Sequence, residues 1–196
     1  MCACGSKESL AGTWKTEVDI TSFVTDGIGL AESFGLEEDF TMESNLVVPL
    51  NLELKEDGTC TLSLDKEGFS ASADAFFAEL IDIVVEATYK MAEDNGMTRE
   101  QMDEMSDGDL KTYIQALFDS MDLEGMLAEE DLNKSGAWKA EDGKLYLADS
   151  ADELGEATAN AYQLDGSKLT LELTDSDMLD LSGVGYEGST LVFEKK

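Results

Sequence analysis

Gly12-Thr13-Trp14-Lys15 and Gly136-Ala137-Trp138-Lys139 each open a run in which apolar and polar residues alternate, and reading these two segments decides the fold. Alternation with a period of two marks a strand that buries one face. Over residues 13–20 it sets Trp14, Thr16, Val18 and Ile20 on one side and Lys15, Glu17 and Asp19 on the other. Outward from there, Asp57-Gly58, Asp142-Gly143 and Asp165-Gly166 each lie between two such runs. Asp-Gly between alternating runs is a strong hairpin signal, because these residues tolerate the positive φ of tight hairpin turns.

Leu46, Val48, Leu50, Leu52 and Leu54 form the inward series of the next strand, and Cys60, Leu62 and Leu64 continue it beyond the Asp57-Gly58 turn. Pro49 falls on the outer face near the strand start, where a missing amide donor does least harm. Cys60, sharing the Leu face, reads as a small buried apolar residue rather than a reactive thiol. The second block supplies strands over 136–141, 144–148, 158–164, 168–174 and 190–194. Neither block alone covers its apolar face, so the two are expected to pair as one antiparallel meander. Eight strands suffice to close a barrel whose interior is filled by side chains or holds one small ligand.

After the third strand the period changes. Residues 70–134 predict an insert of three or four helices, the first lined by Phe76, Phe77, Leu80, Ile81, Val84 and Tyr89 over an arc too wide for a simple surface helix. Thr98 with Gln101 spells a capping box, and Ser106 with Asp109 a related helix start. Leu110, Tyr113, Ile114, Leu117, Phe118 and Met121 form the next stripe, extended by Leu123, Met126 and Leu127. Residues 21–45, with Gly27, Gly29 and Gly35 among aromatic and aliphatic side chains, read as a short helix with loops. The expected organisation is a leader over 1–9 and one β domain over 10–196 with the helical insertion at 70–134.

Composition narrows function. The 196 residues are 42% hydrophobic, enough for a core, and 44 acidic residues against 13 basic ones give a net charge of −31. Such a surface repels nucleic acid and anionic membranes. There is no histidine and Arg99 is the only arginine, so Ser-His and Cys-His nucleophile pairs and imidazole metal sites have no residue to build them. An enzyme and a cofactor are not expected. Acidic clusters at Asp103, Glu104, Asp107, Asp109 and at Asp175, Asp177, Asp180 offer hard oxygens, but Met105 and Ile114 fall where an EF-hand needs ligands, and a solvated face is expected.

Met1-Cys2-Ala3-Cys4-Gly5-Ser6 resembles the cleavage region and spacer of a bacterial lipoprotein, in which small residues flank an acylated cysteine. The resemblance implies lipidation at Cys4, export, and a location on the extracellular face of the cell membrane. The other reading is a disordered leader with two ordinary thiols.

The Gly12-Thr13-Trp14 opening of an eight-stranded antiparallel sheet resembles the lipocalins, and more closely the lipocalin-like domains of uncharacterised Gram-positive bacterial lipoproteins. That resemblance implies that Trp14 plugs one barrel end while Gly12 lets the chain pass close beneath it. Lipocalins usually place an Arg near the last strand over this Trp, whereas Lys195 and Lys196 end this chain. Their helix also follows the last strand rather than interrupting the sheet.

Two functions are open on the sequence. In the first, Trp14, Val18, Leu52, Leu62, Leu147, Tyr162, Leu171 and Phe193 line a cavity for a small apolar or amphiphilic ligand, with helices of the insert as its cover. In the second, those residues are ordinary core and the acidic insert of an envelope protein faces a partner. A barrel cavity favours the first, and an exposed apolar groove between insert helices the second.

Overall fold

The computed structural model describes residues 10–27, 29, 41–106, 108–120, 132–174 and 177–196. Eight strands follow in chain order: β1 Gly12–Asp19, β2 Val47–Leu54, β3 Thr59–Leu64, β4 Lys134–Glu141, β5 Lys144–Ala148, β6 Ala159–Asp165, β7 Lys168–Glu172 and β8 Thr190–Lys195. They form a closed antiparallel barrel in sequential order. The two Trp-bearing blocks join where β3 pairs with β4, Thr59 opposite Ala137, and again where β1 pairs with β8, Trp14 opposite Lys195. Among the described residues the helices are α1 Thr21–Gly27, α2 Lys66–Asp94, α3 Arg99–Met105 and α4 Leu110–Asp119, the last three inserted after β3.

The chain divides into two compact units. The barrel unit takes residues 1–18, 48–69 and 127–196, and the helical unit takes 19–47 and 70–126. The helical unit thus draws on the segment after β1 as well as on the insert, and the chain passes between the units within α2.

The hairpins follow from their turn residues, with two shifts of detail. Between β4 and β5, Asp142 (φ 51°) and Gly143 (φ 76°) are the two loop residues and both are left-handed, the I′ geometry that matches strand twist. Between β6 and β7 the loop is Gly166-Ser167, because Asp165 still pairs with Lys168; Gly166 takes φ 60° at the first loop position. The β2–β3 loop is longer. Gly58 N–H donates to Lys55 O at 3.0 Å, Gly58 is left-handed at φ 89°, and the Asp57 carboxylate accepts from the Thr59 amide at 2.9 Å and its hydroxyl at 2.7 Å.

Inward residues pack the barrel. Leu50, Leu52, Leu62, Leu145, Leu147, Leu169, Leu171 and Phe193 are fully buried, as is Cys60, whose thiol burial pushes up to about 11. Among the described residues the buried polar side chains are Thr16 and Asn160, and both are satisfied. Thr16 Oγ1 donates to Val192 O at 2.8 Å across the β1–β8 seam. Asn160 Nδ2 donates to Leu145 O and Thr158 O, each at 3.3 Å, and its Oδ1 accepts from the Thr174 amide and hydroxyl at 3.2 Å. An unpartnered amide there would cost about 1–3 kcal/mol. Pro49 is buried rather than open on its face: its carbonyl accepts from Asp65 N–H at 2.9 Å, and Gly68 packs on its ring.

The long helix starts at Lys66, four residues before the sequence expectation, because Asp65 Oδ1 accepts from Gly68 N–H at 3.1 Å in the manner of an N-cap. Within the helical unit α2 and α4 meet through Phe77 and Phe118, ring centroids 5.7 Å apart, and Phe77 also stands edge-on to Phe76 at 5.2 Å. The Thr98–Gln101 capping box is present on α3. Asp109 caps α4 alone, accepting from Lys111 and Thr112 N–H, while Ser106 ends α3 instead, its hydroxyl donating to Met102 O at 3.0 Å. The buried stripe of α4 is Leu110, Ile114 and Phe118; Tyr113 and Leu117, expected inside, are 51% and 42% exposed.

Gly136 allows the closest approach in the barrel wall. A Cβ there would lie 2.1 Å from Ala148 O and 2.5 Å from Met178 Cε. A backbone oxygen cannot swing aside, so Gly136→Ala is expected to lower stability by about 1–3 kcal/mol. Gly27→Ala, in helix α1 with nothing within 4 Å of the added methyl, is expected to stay within about 0.5 kcal/mol of the parent. Denaturant midpoints of the two variants check this; equal midpoints would contradict it.

Candidate functional site

The barrel end at Trp14 is built by residues from both ends of the chain. The Trp14 indole N–H donates to Leu10 O at 2.8 Å, so the segment before β1 turns beneath the ring. Lys195, directly opposite on β8, lays its stem across Gly12 and brings Nζ to 5.1 Å from the centre of the indole. Gly12 is required by its φ of 138°, whereas the Lys195 Cε that a Cβ would meet at 2.9 Å belongs to a flexible side chain that can move aside. A cation over an indole is attracted to the ring quadrupole. Trp138 is anchored differently, its indole N–H donating to Lys55 O and its amide to Gly58 O, each at 2.8 Å, which ties β4 to the β2–β3 turn.

Of the eight residues proposed to line a ligand cavity, Trp14, Val18, Leu52, Leu62, Leu147, Leu171 and Phe193 are each at most 1% exposed. A residue facing an internal void large enough for water would keep accessible surface, so these seven are in contact with other atoms on every side. Tyr162, opposite Leu171 on the same face, is half-buried. Seven of the eight are thus packed, and Tyr162 keeps part of its surface open. Cys4 lies outside the described residues.

Open space occurs elsewhere. In the barrel unit a cleft of about 490 Å³ opens beside the connection from β7 to β8, where Leu173, Leu179, Leu181 and Tyr186 meet Asp180 and Ser182. Asp180 accepts from the Ser182 amide at 3.0 Å and hydroxyl at 2.7 Å, bonds that hold its carboxyl below the usual range. Burial raises the Tyr186 phenol, whose hydroxyl donates to Thr190 O.

In the helical unit a cleft of about 560 Å³ lies at the turn between α2 and α3. A charged network fixes that turn. Arg99 donates to both Glu86 carboxylate oxygens at 3.0 Å and to Glu93 at 2.9 Å, and its guanidinium stands 4.6 Å above the Tyr89 ring. These carboxylates raise the Arg99 pKa. The Tyr89 hydroxyl donates to Asp103 at 2.5 Å, a bond that pushes the phenol up to about 12. Asp103 also accepts from Leu110 N–H at 3.2 Å, so two members of the first acidic cluster, Asp103 and Asp109, serve as helix and turn anchors. Among the described residues no three Cys, Asp or Glu side chains gather so as to hold a metal ion. No described helix is long and apolar enough to cross a membrane.

Sequence reasoning missed Glu79, Asn160 and the placement of Lys195. A polar residue on an inward strand position signals the second; the other two have no local pattern. The chain matches no protein-family model, no curated protein and no solved structure.

Glu79 offers a local pH test. Its carboxylate accepts from the Glu43 amide at 2.6 Å and the Ser44 amide at 2.7 Å, pinning the segment before β2 to α2. These bonds lower its pKa, the Glu43 amide first. A depressed carboxylate pKa means the contact contributes fully above the ordinary value of about 4.3 and is lost as pH falls through the lower folded value. The proton resonances of the Glu43 and Ser44 amides are expected to shift upfield together with a midpoint below about pH 4.3. A midpoint at or above that value would contradict the pairing.

Proposed function

We propose that this protein acts by binding rather than catalysis: an exported, lipocalin-like barrel domain, held at the extracellular face of a membrane by an acyl chain on Cys4, whose acidic helical unit docks a protein partner. The observation that carries the reading is the coexistence of packed inward residues in the barrel with exposed large apolar side chains on the helical unit. Phe23, Met91, Met105, Tyr113 and Leu117 are each more than two-fifths exposed. Exposed apolar side chains within a charged surround mark interaction surfaces. The unit's only cations are Lys90, Arg99 and Lys111, heavily outnumbered by carboxylates. Arg99 and Lys111 are held by Glu86, Glu93 and Asp82. That charge disfavours nucleic acid and an anionic lipid surface as the occupant.

A second reading, a small apolar or amphiphilic ligand held beside the barrel, draws on the cleft of about 490 Å³ near Tyr186. Its volume is in the range of ligand sites, and it mixes leucines with the Asp180 carboxylate and serine hydroxyls as an amphiphile would need.

One experiment in the native host tests both location and docking. A photoreactive residue at Tyr113 is expected to give a discrete protein adduct in the membrane fraction, one at Gln163 on the barrel none, and Cys4→Ala is expected to move the protein into the medium. Adducts only from Gln163, or none with a copurifying amphiphile by native mass spectrometry, would overturn the docking reading. Unchanged membrane association of Cys4→Ala would overturn the anchor.

A further inference from the structure

The turn between α2 and α3 leaves apolar surface uncovered at a concave place. Gly96 takes φ 80° to reverse the chain, Thr98 caps α3, and Met97 and Met105 face the cleft together with Asn95, Gln101 and Glu104. Met105 is 70% exposed, and Met91, one turn before Asn95 on α2, is 43% exposed. Exposure of this kind gives a partner a hydrophobic gain. Methionine suits such a place because its unbranched, polarisable chain moulds to varied surfaces.

Charge decides what the partner is. Glu104 lines the cleft, Asp94 and Glu100 adjoin the lining residues Asn95 and Gln101 in the chain, and all three carboxylates are exposed and make no ion pair among the described residues. Residues 86–104 carry six carboxylates against two cations, Lys90 and Arg99, and Arg99 already bonds to Glu86 and Glu93 while its guanidinium stacks on Tyr89, so the excess of negative charge there stands. A second copy of this chain, at −31, and an anionic lipid surface would both be repelled from that rim. A partner with the opposite charge is steered toward it.

We infer that the α2–α3 turn is a docking cleft for a cationic amphipathic segment of a partner protein, with apolar side chains seated between Met97 and Met105 and Lys or Arg residues facing Asp94, Glu100 and Glu104. The inference rests on the partner-docking reading above and adds to it a place and a chemistry. Helix-in-groove recognition supplies the form: apolar anchors on one face, charges along its flanks. Binding of this kind weakens with salt, since the rim carboxylates are solvent-exposed.

The test uses the full chain with isotope-labelled methionine methyl groups and two synthetic amphipathic helices, one of Leu and Lys and one of Leu and Glu. The Leu/Lys helix is expected to shift the Met97 and Met105 methyl resonances saturably and the Leu/Glu helix to leave them in place. Met105→Ser and Glu104→Lys, both at exposed positions, are each expected to weaken binding by about tenfold, roughly the loss of one good contact. Glu153→Lys on the barrel unit is expected to leave affinity unchanged. Equal weakening by Glu153→Lys would mean diffuse attraction and would overturn the cleft. Methyl shifts that avoid Met97 and Met105 would overturn it as well. A Tyr113 adduct in the host alongside a Leu/Lys helix that fails to bind would overturn the inference while leaving the docking reading in place.

Discussion

Closure of the barrel rests on the seam between its first and last strands. At that seam Trp14 lies opposite Lys195, its indole hydrogen-bonded to Leu10 O and covered by the Lys195 ammonium. Lys196 N–H adds a bond to Thr13 O at 2.9 Å. Were the seam open, β1 and β8 would each present an unpaired ladder, a template for aggregation. The cation over the ring contributes about 0.5–1 kcal/mol at an exposed site. The backbone pairing of Trp14 with Lys195 and of Lys15 with Glu194 sets the register in which Thr16 reaches Val192 O.

A closed wall has a consequence for chemistry. Seven of the eight candidate lining residues are packed to 1% exposure or less, and Asn160 spends all of its hydrogen-bonding capacity on Leu145, Thr158 and Thr174. The polar handle that could have oriented a ligand inside the barrel is already used. Open clefts lie instead near Tyr186 in the barrel unit and at the methionine-lined turn of the helical unit.

The strands were legible because their signals are local. Period-two alternation fixes the inward face, and Asp-Gly fixes a turn to within about one residue. The shift at β6–β7 shows the limit: Asp165 stays in the ladder with Lys168 because Gly166 can supply the positive φ at the first loop position. The start of α2 precedes the change of period because Asp65 serves both as the residue after β3 and as the cap of the helix. A stripe read at three- and four-residue spacing takes in Leu117 and Tyr113 and is wider than the i, i+4, i+8 line that α4 buries. Lys195 over Trp14 was not legible, since nothing in a terminal Lys-Lys pair tells which side chain crosses the indole. The clefts belong to residues brought together by turns, which no spacing rule encodes.

The described inward residues fill the barrel interior with their own side chains. Trp14 reports on it directly, and in a Trp138→Phe variant the remaining indole can be followed alone by fluorescence while brominated fatty acid is added. Trp14 emission is expected to stay unchanged at concentrations that saturate ordinary fatty-acid carriers. Saturable quenching of Trp14 would mean that an acyl chain enters the barrel, and would contradict it.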